Sequence, residues 1–311
     1  MTCRQLYIFA VWTVLLFGAA SCERGPEKKT TIAVVPKVDD ASVAAAKAAA
    51  LAARDTYDIR VRWDVSRSPT AESQTDLIER LVTAGVDGIL ISCIDAESEV
   101  LREAIDHAIA AGVKVGTFDS DCPESGRSFY IGSDNEAAGS LAAATLQTLC
   151  AEAGRPATGI GVFGGVEGDA AMQSRLSALL TAVPDTAALF WSGEVSATGQ
   201  SQVTNFLTDN VQLPVNGVVF LSGTAVMGGP GNISRLDSLC RPVADKGAAA
   251  AALFFDTSEP IATFVSSMPH CAAIRQDFGA MVSGGVDRLL KAIRNEPFGE
   301  TVTYTPVEIV R

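Results

Sequence analysis

Apolar and polar residues alternate in blocks along this chain, and the blocks repeat with a steady beat. Thr31 to Val35 (TIAVV) is short, apolar and β-branched, as expected of a strand buried on both faces. An alanine-rich stretch follows, from about Ala41 to Arg54, with Asp39 or Asp40 placed to cap it as a helix. The beat continues with a strand near Ile59–Val65, a helix over Glu72–Ala84 and a strand over Gly88–Ser92. A helix over Ala96–Ala111 and strands over Val113–Phe118 and Phe129–Gly132 come next, and Asp134-Asn135 then caps a helix reaching Leu149. The second half predicts strands at Gly159–Phe163, Ala188–Ser192, Gly217–Leu221, Ala251–Phe255 and Ala272–Arg275. Its helices fall at Ala170–Val183, Thr198–Asn210, after Gly231, after Pro260 and over Gly279–Asn295, and a last strand lies near Val302–Val310.

Strict alternation of strand and helix implies parallel sheets with right-handed crossovers. More than ten strands would be unusual in one such sheet, so the pattern predicts an α/β chain of two doubly wound parallel-sheet lobes joined by a multi-strand hinge. The expected first lobe is 31–133 plus 277–298, and the expected second is 134–276 plus 299–311.

The amino terminus breaks the beat. Leu6 to Ala20 is almost wholly apolar, too short for a comfortable membrane span and suited to the core of a signal peptide. It ends in Ala19-Ala20-Ser21-Cys22, small residues set against a cysteine. This resembles a bacterial lipobox, although that family most often has Leu where Ala19 stands. The expectation is a leader over 1–21, a lipidated Cys22 and a polar tether over 22–30; cleavage nearby by an ordinary signal peptidase is the alternative.

Composition narrows the function classes. The 311 residues carry 36 Asp+Glu against 24 Lys+Arg, a formal net charge of -12, which argues against a nucleic-acid partner. Only two histidines are present, His107 and His270, so a His-built metal site or triad has little to work with. No nucleophile elbow, phosphate loop or H-E-x-x-H motif occurs. No catalytic residue, metal or cofactor is expected. After Cys22 five cysteines remain, an odd number. Cys93 and Cys122 follow the third and fourth strands, expected neighbours, which puts them within reach of a disulfide; two free thiols packed as small apolar groups is the equal alternative.

In doubly wound sheets ligands bind beyond the carboxyl ends of the strands. The residues found there include Lys37, Ser92, Asp119, Asp121, Thr224, Asp256 and Gln276. Asp39, Asp134 and Asn135 read as helix caps. Asp119, Asp256 and Gln276 each end a buried strand directly and are read as facing the cleft.

Val-Val-Pro-Lys at 34–37, Gly-Val-Asp-Gly-Ile-Leu-Ile-Ser at 85–92, Ala-Gly-Val-Lys-Val-Gly-Thr-Phe-Asp-Ser-Asp at 111–121 and Ile-Gly-Ser-Asp-Asn at 131–135 occur in order. Arg175, Phe-Phe-Asp at 254–256 and Ile-Arg-Gln at 274–276 follow. Together they resemble the type I periplasmic solute-binding proteins, in their ribose- and galactose-binding branch. The likeness spans nearly the whole chain after the leader and is better in the first half. It implies a protein that captures a small polar ligand, a sugar or polyol, between its lobes and delivers it to an ABC transporter permease. It implies ligand contacts from Asp119, Arg175, Asp256 and Gln276, with Ser92 and Thr224 standing at or near positions where the family has asparagine. The family's aromatics after the first strand are replaced by Ala41-Ser42-Val43. The alternative role for Arg175 is a salt bridge to Asp256 or Asp119 that merely holds the cleft. Other readings of the same fold are a receptor for a sensor kinase or chemotaxis receptor, a repressor effector domain and, more distantly, a carbohydrate-active enzyme. The cleft residues are expected to face open water, so that truncating them spares folding.

Overall fold

The computed structural model describes residues 28–155, 159–164, 169–183, 216–223, 226, 232–240 and 251–311. The expected leader, Cys22, the strand Ala188–Ser192, the helix Thr198–Asn210 and Thr224 lie outside the described residues.

The chain forms an α/β fold with two sheets. The first contains β1 (Thr31–Val35), β2 (Arg60–Trp63), β3 (Gly88–Ile91), β4 (Lys114–Phe118), β5 (Tyr130–Ser133) and β10 (Val302–Thr305). Its order is β10-β5-β4-β3-β1-β2, and every neighbouring pair is parallel. Successive strands are added on one side of β1 and then on the other, which opens a crevice at the carboxyl ends of β1 and β3. The second sheet contains β6 (Ile160–Phe163), β7 (Gly217–Phe220), β8 (Ala251–Phe255), β9 (Cys271–Gln276) and β11 (Val307–Val310). Its order is β11-β9-β8-β7-β6, with β11 antiparallel to β9 and the rest parallel.

Helices cover both faces of each sheet. On the first sheet α1 (Ala44–Tyr57) packs beside α8 (Phe278–Ile293), and α2 (Ala71–Thr83) beside α3 (Glu99–Ala110). Alternate residues of one strand feed the two cores: Ile32 and Val34 meet Ala46, Ala50 and Met281 on one face, and Ala33 and Val35 meet Leu77, Leu81 and Leu101 on the other. On the second sheet α4 (Asn135–Glu152) and α5 (Ala170–Ala182) cover one face, and α6 (Asn232–Cys240) and α7 (Glu259–Ser267) the other. Phe163, Phe220 and Phe254 are in register across β6, β7 and β8 and stack with centroids 5.1 and 5.2 Å apart, pinning the pairing of these strands.

The chain passes between the two lobes three times: at Asp134 between β5 and α4, at Asp277 between β9 and α8, and at Pro306 between β10 and β11. Asp134 and Asp277 each accept a backbone N–H of the helix they start, from Ala137 and Ala280, which fixes the direction of the crossing. The last crossing corrects the expected organisation of the carboxyl terminus. The single strand expected near 302–310 is two strands, and β10 belongs to the first sheet rather than the second lobe. Pro306 has no N–H to give to a ladder, so the strand is interrupted there and its two halves pair with different sheets.

Candidate functional site

The carboxyl ends of the strands from both sheets converge on one cavity. Its walls include Lys37 after β1, Ser92 after β3, Asp119 after β4, Ser222 after β7, Asp256 after β8 and Gln276 at the end of β9. Arg175 enters from α5, and Asp169 from the position that starts that helix. Phe118 and Phe278 supply aromatic surface that the loop after β1 does not. The structure therefore brings Ser92, Asp119, Arg175, Asp256 and Gln276 together on one surface.

Asp119 and Asp256 hold matching positions in the two lobes. Each is the first residue past a buried strand, and each has a positive φ, 60° and 69°. A left-handed backbone is uncommon for a residue with a side chain, and such strain collects where a side chain must be aimed. At Asp119 the carboxylate accepts from Ser92 Oγ at 2.7 Å and lies 3.1 Å from Lys37 Nζ. Tyr130 holds the same turn from behind, its hydroxyl donating to the Asp119 carbonyl at 2.9 Å. At Asp256 one oxygen accepts from Gly223 N at 3.0 Å and the other from Gln276 Nε2 at 2.6 Å. Burial pushes the Asp256 carboxyl above its ordinary range, while the Arg175 charge and these two hydrogen bonds pull against it.

Arg175 is spread over three partners. Nε donates to Asn135 Oδ1 at 2.8 Å, Nη1 to the Leu221 carbonyl at 2.9 Å and Nη2 to Gln276 Oε1 at 2.6 Å. Its guanidinium also lies over the Phe255 ring, 4.5 Å from the centroid. Gln276 is thus a relay: its oxygen accepts from Arg175 and from Ser133 Oγ, and its amide donates to Asp256. Arg175 reaches Asp256 through this relay. Asn135, expected to be a cap, orients Arg175 instead; Asp134 does the capping. The close crossing of α4 and α5 that makes this possible depends on Gly139, where a Cβ would stand 2.3 Å from the Arg175 carbonyl oxygen.

The second cation is Lys37. Its Nζ donates to Ser120 Oγ at 2.6 Å and forms an ion pair with Asp169, and Ser120 Oγ donates to Asp169 Oδ1 at 2.9 Å. Asp169 also accepts from the Ala171 and Met172 backbone as the cap of α5. Burial alone would lower the Lys37 pKa, but the carboxylates of Asp119 and Asp169 overcome it and raise it above the ordinary lysine value. Burial likewise works against the Asp169 charge, and Lys37 wins, holding that carboxyl below its ordinary range. Lys37 and Ser120 belong to the first lobe and Asp169 to the second, so this cluster bridges the cleft. With Lys37 and Arg175 reaching in, the free space left is about 40 Å³, a few water molecules' worth.

One expectation changes here. Arg175 is 3% exposed and Asp256 5%, so they sit in a closed, satisfied network rather than facing open water. Cys93 and Cys122 are free thiols in this structure, both buried in the apolar cluster with Ile94 and Leu101, the second of the two arrangements the sequence left open. Nothing in the sequence marks Ser120 and Asp169 as site residues; for Lys37 the signal is its place in the Val-Val-Pro-Lys segment at the end of β1.

A sequence profile of the periplasmic binding protein domain matches residues 32–259. The chain belongs to the periplasmic binding protein family. Solved structures agree with this across the fold. An ABC transporter solute-binding protein from Burkholderia graminis, in complex with D-arabinose, is 24% identical with a TM-score of 0.77, covering 92% of this chain and 96% of that one. A glucose-galactose binding protein from Geobacillus stearothermophilus is 19% identical, with a TM-score of 0.75 over 92% of this chain and 98% of its own. A periplasmic solute-binding protein from Actinobacillus succinogenes with bound D-allose is 19% identical, with a TM-score of 0.73 over 91% and 97%. The periplasmic binding family places the working domain outside the cytoplasm, and no helix among the described residues is long and apolar enough to cross a membrane.

Proposed function

We propose that this protein captures one small polyhydroxylated ligand, a monosaccharide, between its lobes and hands it unchanged to the permease of an ABC transporter. The observation that carries this reading is the convergence of Asp119, Asp256, Gln276 and Arg175 at the strand ends of both lobes, beside Phe118 and Phe278. Carboxylates accept from hydroxyl groups, while guanidinium, ammonium and amide groups donate, so adjacent hydroxyls can each be met from two sides. Aromatic faces suit the apolar face of a sugar ring. The bound sugars of the Burkholderia graminis and Actinobacillus succinogenes proteins support the same class of ligand.

A thermal-shift screen tests it, with D-arabinose, D-allose, D-tagatose, D-glucose, D-galactose, polyols and nucleosides as probes. One or more of the sugars is expected to raise the melting temperature, by mass action on the folded form. A rise with nucleosides alone, or with none of the probes, would count against a sugar.

The same reading gives the chain a leader over 1–21 and a lipid-anchored Cys22, with 22–30 as tether. Changing Cys22 to alanine is expected to move the protein from the membrane fraction to the soluble one. Membrane association that survives the change would remove the anchor from the account.

A further inference from the structure

The first crossing between the lobes is tied directly to the site. It runs through Ser133, Asp134 and Asn135, from the end of β5 to the start of α4. Asp134 is exposed and caps α4. The residues on either side of it reach the cavity wall from behind. Ser133 is 1% exposed, and its Oγ donates to Gln276 Oε1 at 2.9 Å, joining β5 of the first sheet to the end of β9 in the second. Asn135 is half-buried, and its Oδ1 accepts from Arg175 Nε at 2.8 Å. Tyr130, at the start of the same strand, donates to the Asp119 carbonyl. Gly132 makes room for it, since a Cβ there would stand 1.9 Å from the Tyr130 hydroxyl oxygen. The stretch 130–135 thus holds Asp119, Gln276 and Arg175 at once, yet none of Tyr130, Ser133 and Asn135 is among the described residues that line the cavity.

These contacts fix which way two groups of the cavity wall point. Gln276 Oε1 receives two donors, Ser133 Oγ and Arg175 Nη2, while Nε2 donates to Asp256. A flipped amide would set N–H against N–H at Arg175 and oxygen against carboxylate at Asp256. Asn135 orients the guanidinium in the same way, by taking Nε, its one nitrogen with a single N–H. Nη1 and Nη2 each give one N–H to the protein, to the Leu221 carbonyl and to Gln276, and each carries a second. Gln276 Nε2 likewise carries a second beside the one given to Asp256. Those second N–H groups are what Arg175 and Gln276 can offer to ligand hydroxyls.

We propose that Ser133 and Asn135 are positioning residues for ligand binding, which hold Gln276 and Arg175 so that these N–H groups meet the sugar, without touching it themselves. The proposal rests on ligand capture at this cleft. It makes the crossing part of the site, because a shift of the chain at 133–135 moves two ligand-binding groups together.

The test uses the full chain in two arms. In the first, without sugar, nitrogen-15 NMR follows hydrogen exchange of side-chain N–H groups. Asn135→Ala is expected to speed exchange of the Arg175 Nε–H by roughly tenfold or more, and Ser133→Ala that of the Gln276 amide. In the second, calorimetric titration uses whichever of D-arabinose, D-allose and D-galactose gives the largest thermal shift with the wild type. Ser133→Ala and Asn135→Ala are each expected to weaken binding by about threefold to tenfold. Ser133→Thr keeps the hydroxyl and Asn135→Asp the acceptor oxygen, and both are expected to stay within about twofold of wild type. With Gln276 already changed to methionine, Ser133→Ala is expected to cost no further affinity, since it acts only through Gln276. Unchanged exchange in the alanine variants, or a Ser133→Ala loss that persists in full beside Gln276→Met, would overturn the proposal. A wild type that binds none of the sugars contradicts ligand capture instead, and the exchange arm then decides the positioning by itself.

Discussion

Replacing Arg175 with alanine is expected to weaken sugar binding by tenfold to a hundredfold and also to lower the stability of the empty protein by about 3 kcal/mol. Both effects come from one arrangement. The guanidinium satisfies Asn135, the Leu221 carbonyl and Gln276 at once, in a site where it is 3% exposed. Truncation takes the guanidinium donor from the buried Leu221 carbonyl and leaves Gln276 Oε1 with Ser133 alone, and a buried group left without its donor costs on the order of 1–3 kcal/mol. It also frees Gln276, whose amide holds Asp256. Arg175→Lys separates charge from geometry, since an ammonium keeps the charge but cannot fork to three partners. Urea midpoints give the stability loss and calorimetric titration gives the affinity. An Arg175→Lys protein equal to wild type in both would show that the fork has no role.

The second large effect belongs to Lys37. Changing it to methionine leaves Asp169, whose side chain is 0% exposed, without its ion-pair partner, takes the same cation from Asp119, and leaves Ser120 as the remaining link to Asp169 across the cleft. Breaking a buried pair by removing one partner is expensive, so a loss of about 3 kcal/mol is expected. Asp169→Asn keeps the cap of α5, because asparagine caps as well as aspartate. The double variant removes both members of this pair and leaves only Asp119 without its cation, as Lys37→Met alone also does, so its loss is expected to be clearly smaller than the sum of the two single losses. The pH dependence follows from the directions of the two pKa values. Asp169 is depressed, so its contribution is present above the unfolded value of 3.8 and disappears as the pH falls through its lower folded value. Lys37 is raised, so its contribution is complete below 10.5 and is lost only above that, through its higher folded value. Between about pH 5 and 9 the pair is therefore constant, and Lys37→Met should erase part of the acid-side loss of stability. Additive single and double variants would show that Lys37 and Asp169 do not act as a pair.

Most of the fold is legible in the chain because helix and strand periods differ so sharply here. Ala251–Phe255 is a run of five apolar residues and a strand of the same bounds, and the helix expected over Gly279–Asn295 is observed at Phe278–Ile293. The carboxyl terminus misleads because 302–310 alternates like one strand, while its partners on either side of Pro306 are settled by tertiary pairing. Within the site, Asp119, Asp256 and Gln276 stand out because each polar side chain directly ends or follows an apolar strand. Their left-handed backbones at 119 and 256 do not show in sequence, since aspartate is common in ordinary turns. Lys37 and Asp169 are harder still. A lysine in a loop is normally solvated, and an acid before a helix is normally only its cap, which Asp169 also is. Their pairing exists only once two lobes, 132 positions apart along the chain, face each other.

The central claim is that one small sugar binds between the lobes on Asp119, Asp256, Arg175 and Gln276. Calorimetric titration of the full chain with the sugar that gives the largest thermal shift, run beside Asp256→Ala, tests it most directly. The account predicts saturable binding of one sugar per chain to the wild type and an affinity at least tenfold weaker for the variant, with the variant still folded by circular dichroism. Equal affinity for wild type and a folded Asp256→Ala would contradict it.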